Sequence, residues 1–552
     1  MPVYYYGPGE SKKRFKFWLE NPPSTIAIDV ETISLKERHP LGFGIAVSPQ
    51  EAFYFDLKPE PPRELELIIS WLEDIRVTKV MHNAMFDLGV FPLIPIVGSH
   101  LDRANIWDTN IAARLLGHIE TSLPILSYDI VGISTTSAGE ILKEHSCKDM
   151  MQLWEKDPLL ISNHCQADAR ATFALYLEWK DKIEEKYPDY FNVEMQVIPI
   201  LLDVSMRGIA IDQRVRAELA ASYAKDIEFY DGYIKSFGIS KPGSNQQVGY
   251  TLATRGNFLK MTRSRRQLST NKSELEFVSD SLAQAVLTYR TKSKFKNTYL
   301  DPLEGQDRFY TEFYMDTVVG RLNSRNRNIQ NIPAEARVMF LPDHNYFCSG
   351  DYSQEHLRIL AHRSGDKLMK AVYEEGRYGG DFHKLTAEKL GLTRPLARTI
   401  NYAIVYGATP KTVSEQAKIR DLDRCAKYIE DWFRTYREAA DYIQYLQRVG
   451  LKDGWAEPTL FGRRIRLPDE SEDGMKRKAV NYPILGSDGE VIKRAIILAN
   501  NRGLGPPTMA ITVHDSITWD GDVEKKVPVE ELSMIPGFMI PFEVKTTLRW
   551  EK

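Results

Sequence analysis

The sequence predicts an α/β domain followed by a larger α+β domain, and three observations carry that expectation. Over the first 190 or so positions, short apolar strands alternate with helical patterns. From Glu194 to about Leu300 the periodicity is mostly helical. From Phe309 onward strands return, split by a long helical block from about Gln354 to Val449. At 552 residues the chain exceeds what one core organises, so several domains are expected.

In order, STIAIDVET, FGIAVSP, EAFYFDL and TKVMHNA read as strands, because branched and aromatic residues dominate each. The segments from Arg103 to Leu116 and from Ser162 to Lys186 read as helices. EKYPDYF, around Pro188, marks the domain boundary. The turn KPGSNQQ interrupts the helical region that follows. RFYTEFYMD, NYFCSGDY and TMAITVHDSITW read as strands of the second domain. No internal repeat or low-complexity segment occurs.

Composition is that of an ordinary globular protein: 43% hydrophobic, 27% charged and 11% aromatic residues. No apolar run is long enough to cross a bilayer, and MPVYYYGPGESKKRF lacks the layout of a secretory signal. Cys147, Cys165, Cys348 and Cys425 are scattered without ligand or disulfide spacing, so reduced thiols in a cytoplasm are expected. A net charge of −3, from 72 basic and 75 acidic residues, gives no global sign of a polyanionic partner. Local basic clusters occur at Arg263/Arg265/Arg266, Lys292/Lys294/Lys296, Arg321/Arg325/Arg327, Arg463/Arg464/Arg466 and Lys476/Arg477/Lys478. Taken singly, each reads as a solvated surface.

The chemistry lies in the motifs. Asp29-x-Glu31 closes the strand STIAIDVET, and side chains two apart on a strand face the same way. Two carboxylates at a strand end suit a hard divalent cation. Asn83 and Asp87 follow in HNAMFD, and Asp168 sits in HCQADARAT with Thr172 one helical turn later. Asp29-x-Glu31, Asn83-x-x-x-Asp87 and Asp168 resemble the three exonuclease motifs of the DEDD proofreading family, with an RNase H-like fold. The resemblance implies that Asp29, Glu31, Asp87 and Asp168 hold two metal ions, that Asn83 meets DNA, and that the helix of Asp108 supports the site. The family usually places Tyr four residues before the last Asp. Here His164 stands there, and a histidine can bond or deprotonate a water.

In the second domain, NYFCSGDY delivers Asp351 on a strand, and TMAITVHDSITW places Asp515 at a hairpin tip. Separately, Asp351 could cap a helix and Asp515 could serve a turn. Between them, Arg394, Arg398 and Tyr402 are spaced i, i+4, i+8 and form one helical stripe, with Tyr406-Gly407 a turn later. Two cations and an aromatic plane match a nucleoside triphosphate, although such a face could equally pack on a neighbour.

MRGIAID, YRTKSKFKNTYLDPL, GRLNSRNRNIQNIP, DYSQ with Leu357-Arg358, RTINY with YG, FGRRIRLPD, NYPILG and VHD occur in the order of the family A (DNA polymerase I-like) polymerases. The chain from about Glu194 to Lys552 resembles that family. The resemblance implies an exonuclease domain at 1–190 and a right-hand polymerase at 191–552, with thumb near 213–300, palm at 301–365 and 450–552, and fingers at 366–449. It implies template-directed DNA synthesis with 3′→5′ proofreading. Two Mg²⁺ ions per site, replaceable by Mn²⁺, would be held in the palm by Asp351, Asp515 and the backbone of Tyr352. His383, Arg394 and Arg398 would hold the triphosphate, with Tyr402, Tyr406, Gln354 and His356 around the nucleotide. Arg321, Gln330, Asn331, Asn481 and His514 would contact primer and template. Lys294, Lys296, Asn297 and Thr298 would touch the duplex backbone. Primer–template DNA and dNTPs are the expected partners of a monomer, with helicase and processivity factors unspecified.

Several positions depart from the family. Arg398 stands where Lys is usual, so charge stabilisation survives while proton donation does not. Glu355-His356 replaces Ile-Glu, and His356 is expected to take over the exclusion of a sugar 2′-OH. Tyr402 replaces the commoner Phe, which implies acceptance of dideoxynucleotides. Leu485 and Ser516 stand where Gln and an acid are usual. A compact layout without a preceding 5′-nuclease resembles a bacteriophage replicase acting in a host cytoplasm, and Okazaki-fragment processing is not expected. The rivals are a single-subunit RNA polymerase and a DNA-binding scaffold with dead sites. The exonuclease motifs, DYSQ and QNIP stand against the first, and the intact Asp351 and Asp515 against the second.

Overall fold

The computed structural model describes residues 3–7, 11–34, 37–262, 264 and 266–550. Met1, Pro2, Pro8–Glu10, Arg263 and Arg265 lie outside the described residues, so part of the leader reading and of the first basic cluster does too.

The N-terminal domain is built on a six-stranded sheet of β1 (Val3–Tyr6), β2 (Thr25–Thr32), β3 (Pro40–Ser48), β4 (Glu51–Asp56), β5 (Thr78–Met81) and β6 (Ile106–Asp108), in the order β1-β4-β3-β2-β5-β6. β2 is antiparallel to β3 and parallel to β5. β6 corrects the sequence reading: the expected helix from Arg103 starts only at Thr109, because Ile106–Asp108 pairs in parallel with Lys79–Met81. The sheet is covered by helices α1 (Ala84–Val90) and α2 (Pro158–Lys186). Strands flanked on both faces are largely apolar, as in β3 and β4, where nearly every residue is buried.

The expected boundary near Pro188 is not a linker. α2 ends at Lys186 and α3 (Pro188–Arg207) starts two residues on, with Pro188 at the helix start, where its missing N–H is no loss. One apolar core runs from Ile26 through α3 to Trp550, so both domains share it. The Trp107 and Phe191 rings meet 4.9 Å apart across the junction. Arg103 bonds Asp203 at 2.8 Å, and Arg38 bonds Glu312 and the Tyr314 hydroxyl.

Beyond α3, α4 (Gln213–Lys235) and α5 (Ser281–Phe295) pack together around a separate small core that includes Ile234, Leu252, Leu275 and Val286. RFYTEFYMD is not one strand: Arg308–Phe309 pairs with Ile209–Ala210, and Glu312–Tyr314 pairs with Asn323–Arg325. The central sheet of this domain comprises β7 (Phe347–Tyr352), β8 (Met509–Val513), β9 (Ser516–Asp520) and β10 (Phe542–Thr547), all antiparallel, in the order β8-β9-β7-β10. The helical block contains α6 (Glu355–Ser364), α7 (Phe382–Leu390) and α8 (Arg394–Val405), and α9 (Glu472–Ala499) packs against α3 and α6.

α9 and α3 are joined by buried charge. Lys493, fully buried, pairs with the buried Glu194. Beside them Arg463 Nη1 donates to the Tyr190 hydroxyl at 3.1 Å, and Nη2 donates to the Val318 carbonyl at 2.7 Å. Thr459 donates to Glu490 at 2.6 Å, and burial raises that carboxyl to a pKa of about 7. Arg463 therefore belongs to the interior and not to a nucleic-acid surface. Acid partners also occupy Lys292 (Asp226), Arg325 (Asp316), Lys476 (Glu472) and Lys478 (Glu470), so the basic clusters are partly neutralised.

Candidate active sites

The first site gathers at the end of β2. Asp29 and Glu31 stand two apart on that strand, and Asp87 projects from α1. Asn83 precedes α1 in the left-handed region (φ 77°). Asp108 accepts from the backbone N–H groups of Asn83 (3.3 Å), Ala84 (2.7 Å), Asn110 (2.8 Å) and Ile111 (3.2 Å), so it pins the start of α1 as well as capping its own helix. α2 crosses the sheet and brings His164, Cys165 and Asp168. His164 Nε2 lies 3.5 Å from Glu31 Oε1 and 3.9 Å from Asp168 Oδ2. Cys165 donates to Asp29 Oδ2 at 3.2 Å, and donor atoms of Asp29, Glu31 and Cys165 all lie within 4.8 Å of one another.

All four carboxyls of this site are held above the ordinary range. Burial, then the charge of Glu31, pushes Asp29 up to about 7, and burial pushes Glu31 up to about 8. Asp87 and Asp168 rise well above the usual value through burial and the negative charge of Asp29. Burial lowers His164, which leaves a neutral ring able to accept a proton at pH 7. Buried acids repelling one another, with Asp168 Oδ1 lacking a hydrogen-bond partner, are the donor set that a divalent cation satisfies. The sequence treated Cys165 as one scattered thiol. Its place beside His164 on α2, opposite β2, was the signal.

The second site forms where β7, the β8–β9 hairpin and α8 meet. Asp351 stands opposite Ser516 in the register of β7 and β9, so Asp515 at the two-residue hairpin tip is its neighbour. The Tyr352 N–H donates to the Asp515 carbonyl at 3.2 Å, which ties the tip to β7. The Tyr352 side chain points away, its hydroxyl bonding Leu532 O at 2.9 Å. Two neighbouring carboxylates with a cavity of about 340 Å³ beside Asp515 suit divalent cations. His514 (φ 54°) shares that cavity with Arg321, Arg398, Tyr402 and Tyr406.

α8 presents the expected stripe. Arg398 sits 5.8 Å over the Tyr402 ring, and the Tyr402 and Tyr406 rings are stacked at 6.1 Å. Arg394, half-exposed, bonds Asp381 at 2.7 Å and lies outside the lining, so of the two stripe cations Arg398 is the one that faces the cavity. His383 is 2% exposed and lies 5.5 Å from Tyr402. Burial lowers its pKa to about 4, and Asn401 Nδ2 lies 3.0 Å from its Nδ1, which places the proton of the neutral ring on Nε2.

Other residues take places that the sequence did not foretell. Gln354 does not line the cavity. Its amide bonds Gly380 O, Phe382 N and the Tyr373 hydroxyl, bracing β7 against α7. Arg321, expected on DNA, lies in the nucleotide-sized cavity with its Nε 2.7 Å from Asp488 Oδ2. Gln330 donates to Leu322 O at 3.1 Å, and Asn331 is exposed, its carbonyl accepting from the Tyr299 hydroxyl at 3.1 Å. Asn481 lies on α9 with Oδ1 buried and unpartnered. Lys294, Asn297 and Thr298 are exposed near the end of α5, while Lys296 bonds Asp301 at 2.8 Å. Asp488 and Glu355 were missed. Asp488 lies seven positions after Asn481, two turns along one face of α9, and that spacing could have found it.

Comparison with known proteins agrees with this layout. Residues 213–546 match the model of DNA polymerase family A, and residues 12–184 match a 3′-5′ exonuclease model. The chain is 27% identical to DNA polymerase I of Chloroflexus aurantiacus, over 93% of this chain and 59% of that protein. It is 29% identical to DNA polymerase I of Rhizobium leguminosarum, over 87% of this chain and 50% of that one. It thus spans between half and three-fifths of the length of these relatives. The POL domain of Pol1 from M. smegmatis, solved in complex with DNA primer-template and dNTP, shares the fold with a TM-score of 0.78 at 21% identity, over 98% of each chain. The chain belongs to DNA polymerase family A, with a 3′-5′ exonuclease domain ahead of the polymerase domain.

Proposed function

We propose that this protein copies a DNA template from a primer using dNTPs and trims mismatched 3′ ends in its N-terminal domain. The observation that carries the reading is the adjacency of Asp351 and Asp515 beside the cavity faced by Arg398, Tyr402 and Tyr406. In the polymerase site, bound divalent cations would activate the primer 3′-hydroxyl and balance phosphate charge. Asp351 and Asp515 would supply the carboxylates that hold them. Arg398 presents a planar guanidinium that stabilises the phosphate charge. Tyr402 and Tyr406 offer planes against which base and sugar stack.

In the exonuclease site, Asp29, Glu31, Asp87 and Asp168 would hold the cations. His164, neutral and within reach of Glu31 and Asp168, orients the attacking water and accepts its proton. The domain limits follow the same reading: 1–190 for the exonuclease, 213–300 for the thumb with its own small core, and palm and fingers as expected from the sequence. The relatives compared are bacterial polymerases, so the bacteriophage setting draws no support from them.

A labelled primer–template incubated with Mg²⁺ and the four dNTPs tests the proposal. Template-dependent elongation is expected, with 3′ shortening when dNTPs are omitted. Elongation with rNTPs alone, or binding without either reaction, would overturn it.

A further inference from the structure

Beneath the α8 stripe runs a chain of polar side chains that cation and nucleotide handling leave unexplained. The Tyr406 hydroxyl lies 2.6 Å from His356 Nδ1, and His356 Nε2 lies 3.2 Å from Asp488 Oδ1. Arg321 Nε lies 2.7 Å from the other oxygen of Asp488. Asp488 is 1% exposed, so this is an interior device and not a surface ion pair. Its carboxyl resists the upward push of burial because His356 and Arg321 hold it below the ordinary range. Glu355, next to His356 in the chain, is driven the other way by burial and by the charges of Asp488 and Asp515.

The chemistry orders the chain. Asp488 faces His356 Nε2 and the Tyr406 hydroxyl faces Nδ1, so the imidazole stands between a buried acid and the last ring of the stripe. Three segments distant in sequence, at Arg321, Glu355–His356 and Asp488, are thereby locked to the last aromatic of the stripe. The ring is hydrogen-bonded at Nδ1 and lies within ion-pair distance of Asp488 at Nε2, and a wall restrained on both sides disfavours a ligand one or two atoms too large.

We infer that Asp488 is a positioning residue for sugar selection: through His356 it fixes the imidazole–Tyr406 wall of the nucleotide cavity and so disfavours nucleotides carrying an extra sugar hydroxyl. The inference rests on the proposed polymerase reading, and the test separates the two. Single-nucleotide insertion of dNTP and of the matching rNTP is measured for the wild type, D488A, H356A and the double variant. In D488A the ratio of kcat/KM for dNTP over rNTP falls by about tenfold, chiefly through better rNTP use. In the H356A background the same substitution changes the ratio by less than about twofold, because Asp488 acts through the ring. D488N, of unchanged size, removes the negative charge that faces His356 and Arg321. Its ratio also falls, by about threefold or more, which keeps the test decisive if D488A does not fold. Unchanged selectivity in an actively polymerising D488A or D488N overturns the inference alone, as does an equal fall with and without His356. A wild type that inserts no nucleotide overturns the polymerase reading together with it.

Discussion

The buried pair of Glu194 and Lys493 allows a perturbation whose size can be worked out in advance. Lys493→Met removes a fully buried ammonium and leaves Glu194 between α3 and α9 with no dedicated cation. Arg463 cannot substitute freely, since two of its nitrogens already serve Tyr190 and Val318. An isolated buried carboxylate escapes by taking up a proton. For a glutamate of ordinary pKa near 4.3, that uptake costs about 3.7 kcal/mol at pH 7 and about 1 kcal/mol at pH 5. The sign follows from linkage. The variant's folded state binds a proton that its unfolded state has lost above pH 4.3, so its stability falls as pH rises. Lys493→Met should therefore destabilise by about 3 to 4 kcal/mol at pH 7, within the usual range for a broken buried pair, and by about 1 kcal/mol at pH 5. Urea unfolding of wild type and variant at both pH values, followed by tryptophan fluorescence, measures this. Lys493→Met combined with Glu194→Gln should recover most of the loss. Equal destabilisation at the two pH values, or less than about 1 kcal/mol at pH 7, would refute the reasoning.

Three further outcomes are expected. Asp351→Ala and Asp515→Ala should each lower primer extension by about 10³-fold or more while 3′ digestion of single-stranded DNA continues. An extension rate within tenfold of wild type would dismiss the pair as the polymerase centre. Mg²⁺ half-saturation for digestion should improve as pH rises from 6 to 8, because Asp29 and Glu31 hold protons up to about 7 and 8 that a cation must displace. A flat dependence, measured in an Asp515→Ala background, would contradict the crowding of that site. Dideoxynucleotides should terminate extension by the wild type, and Tyr402→Phe should weaken termination in sequencing-type reactions. Equal termination by both would remove Tyr402 from sugar recognition.

Much of both sites was legible because each motif is a local periodicity. Asp29 and Glu31 share a face since strands alternate, Arg398 and Tyr402 share one since helices repeat every 3.6 residues, and His514-Asp515 sits at the tip of a two-residue hairpin. What the sequence hid is tertiary. Ile106–Asp108 is three residues long and is a strand only because β5 lies beside it. Pro188 reads as a break in any single sequence, yet at a helix start it is compatible with two helices meeting end to end. Gln354 belonged to a matched motif, but the folded chain places its amide against α7 and away from the cavity. Asp488 matches no motif in the sequence, and only the approach of Arg321 and His356 marks its place beside the cavity.

The core that runs unbroken from Ile26 to Trp550 decides how a growing strand would be corrected. On the proposed function, a shared core of this kind favours moving the DNA rather than the two carboxylate centres. A misinserted end would then melt from its partner strand and reach the first site as a free tail. The readiness of the last few base pairs to open would set the balance between elongation and removal.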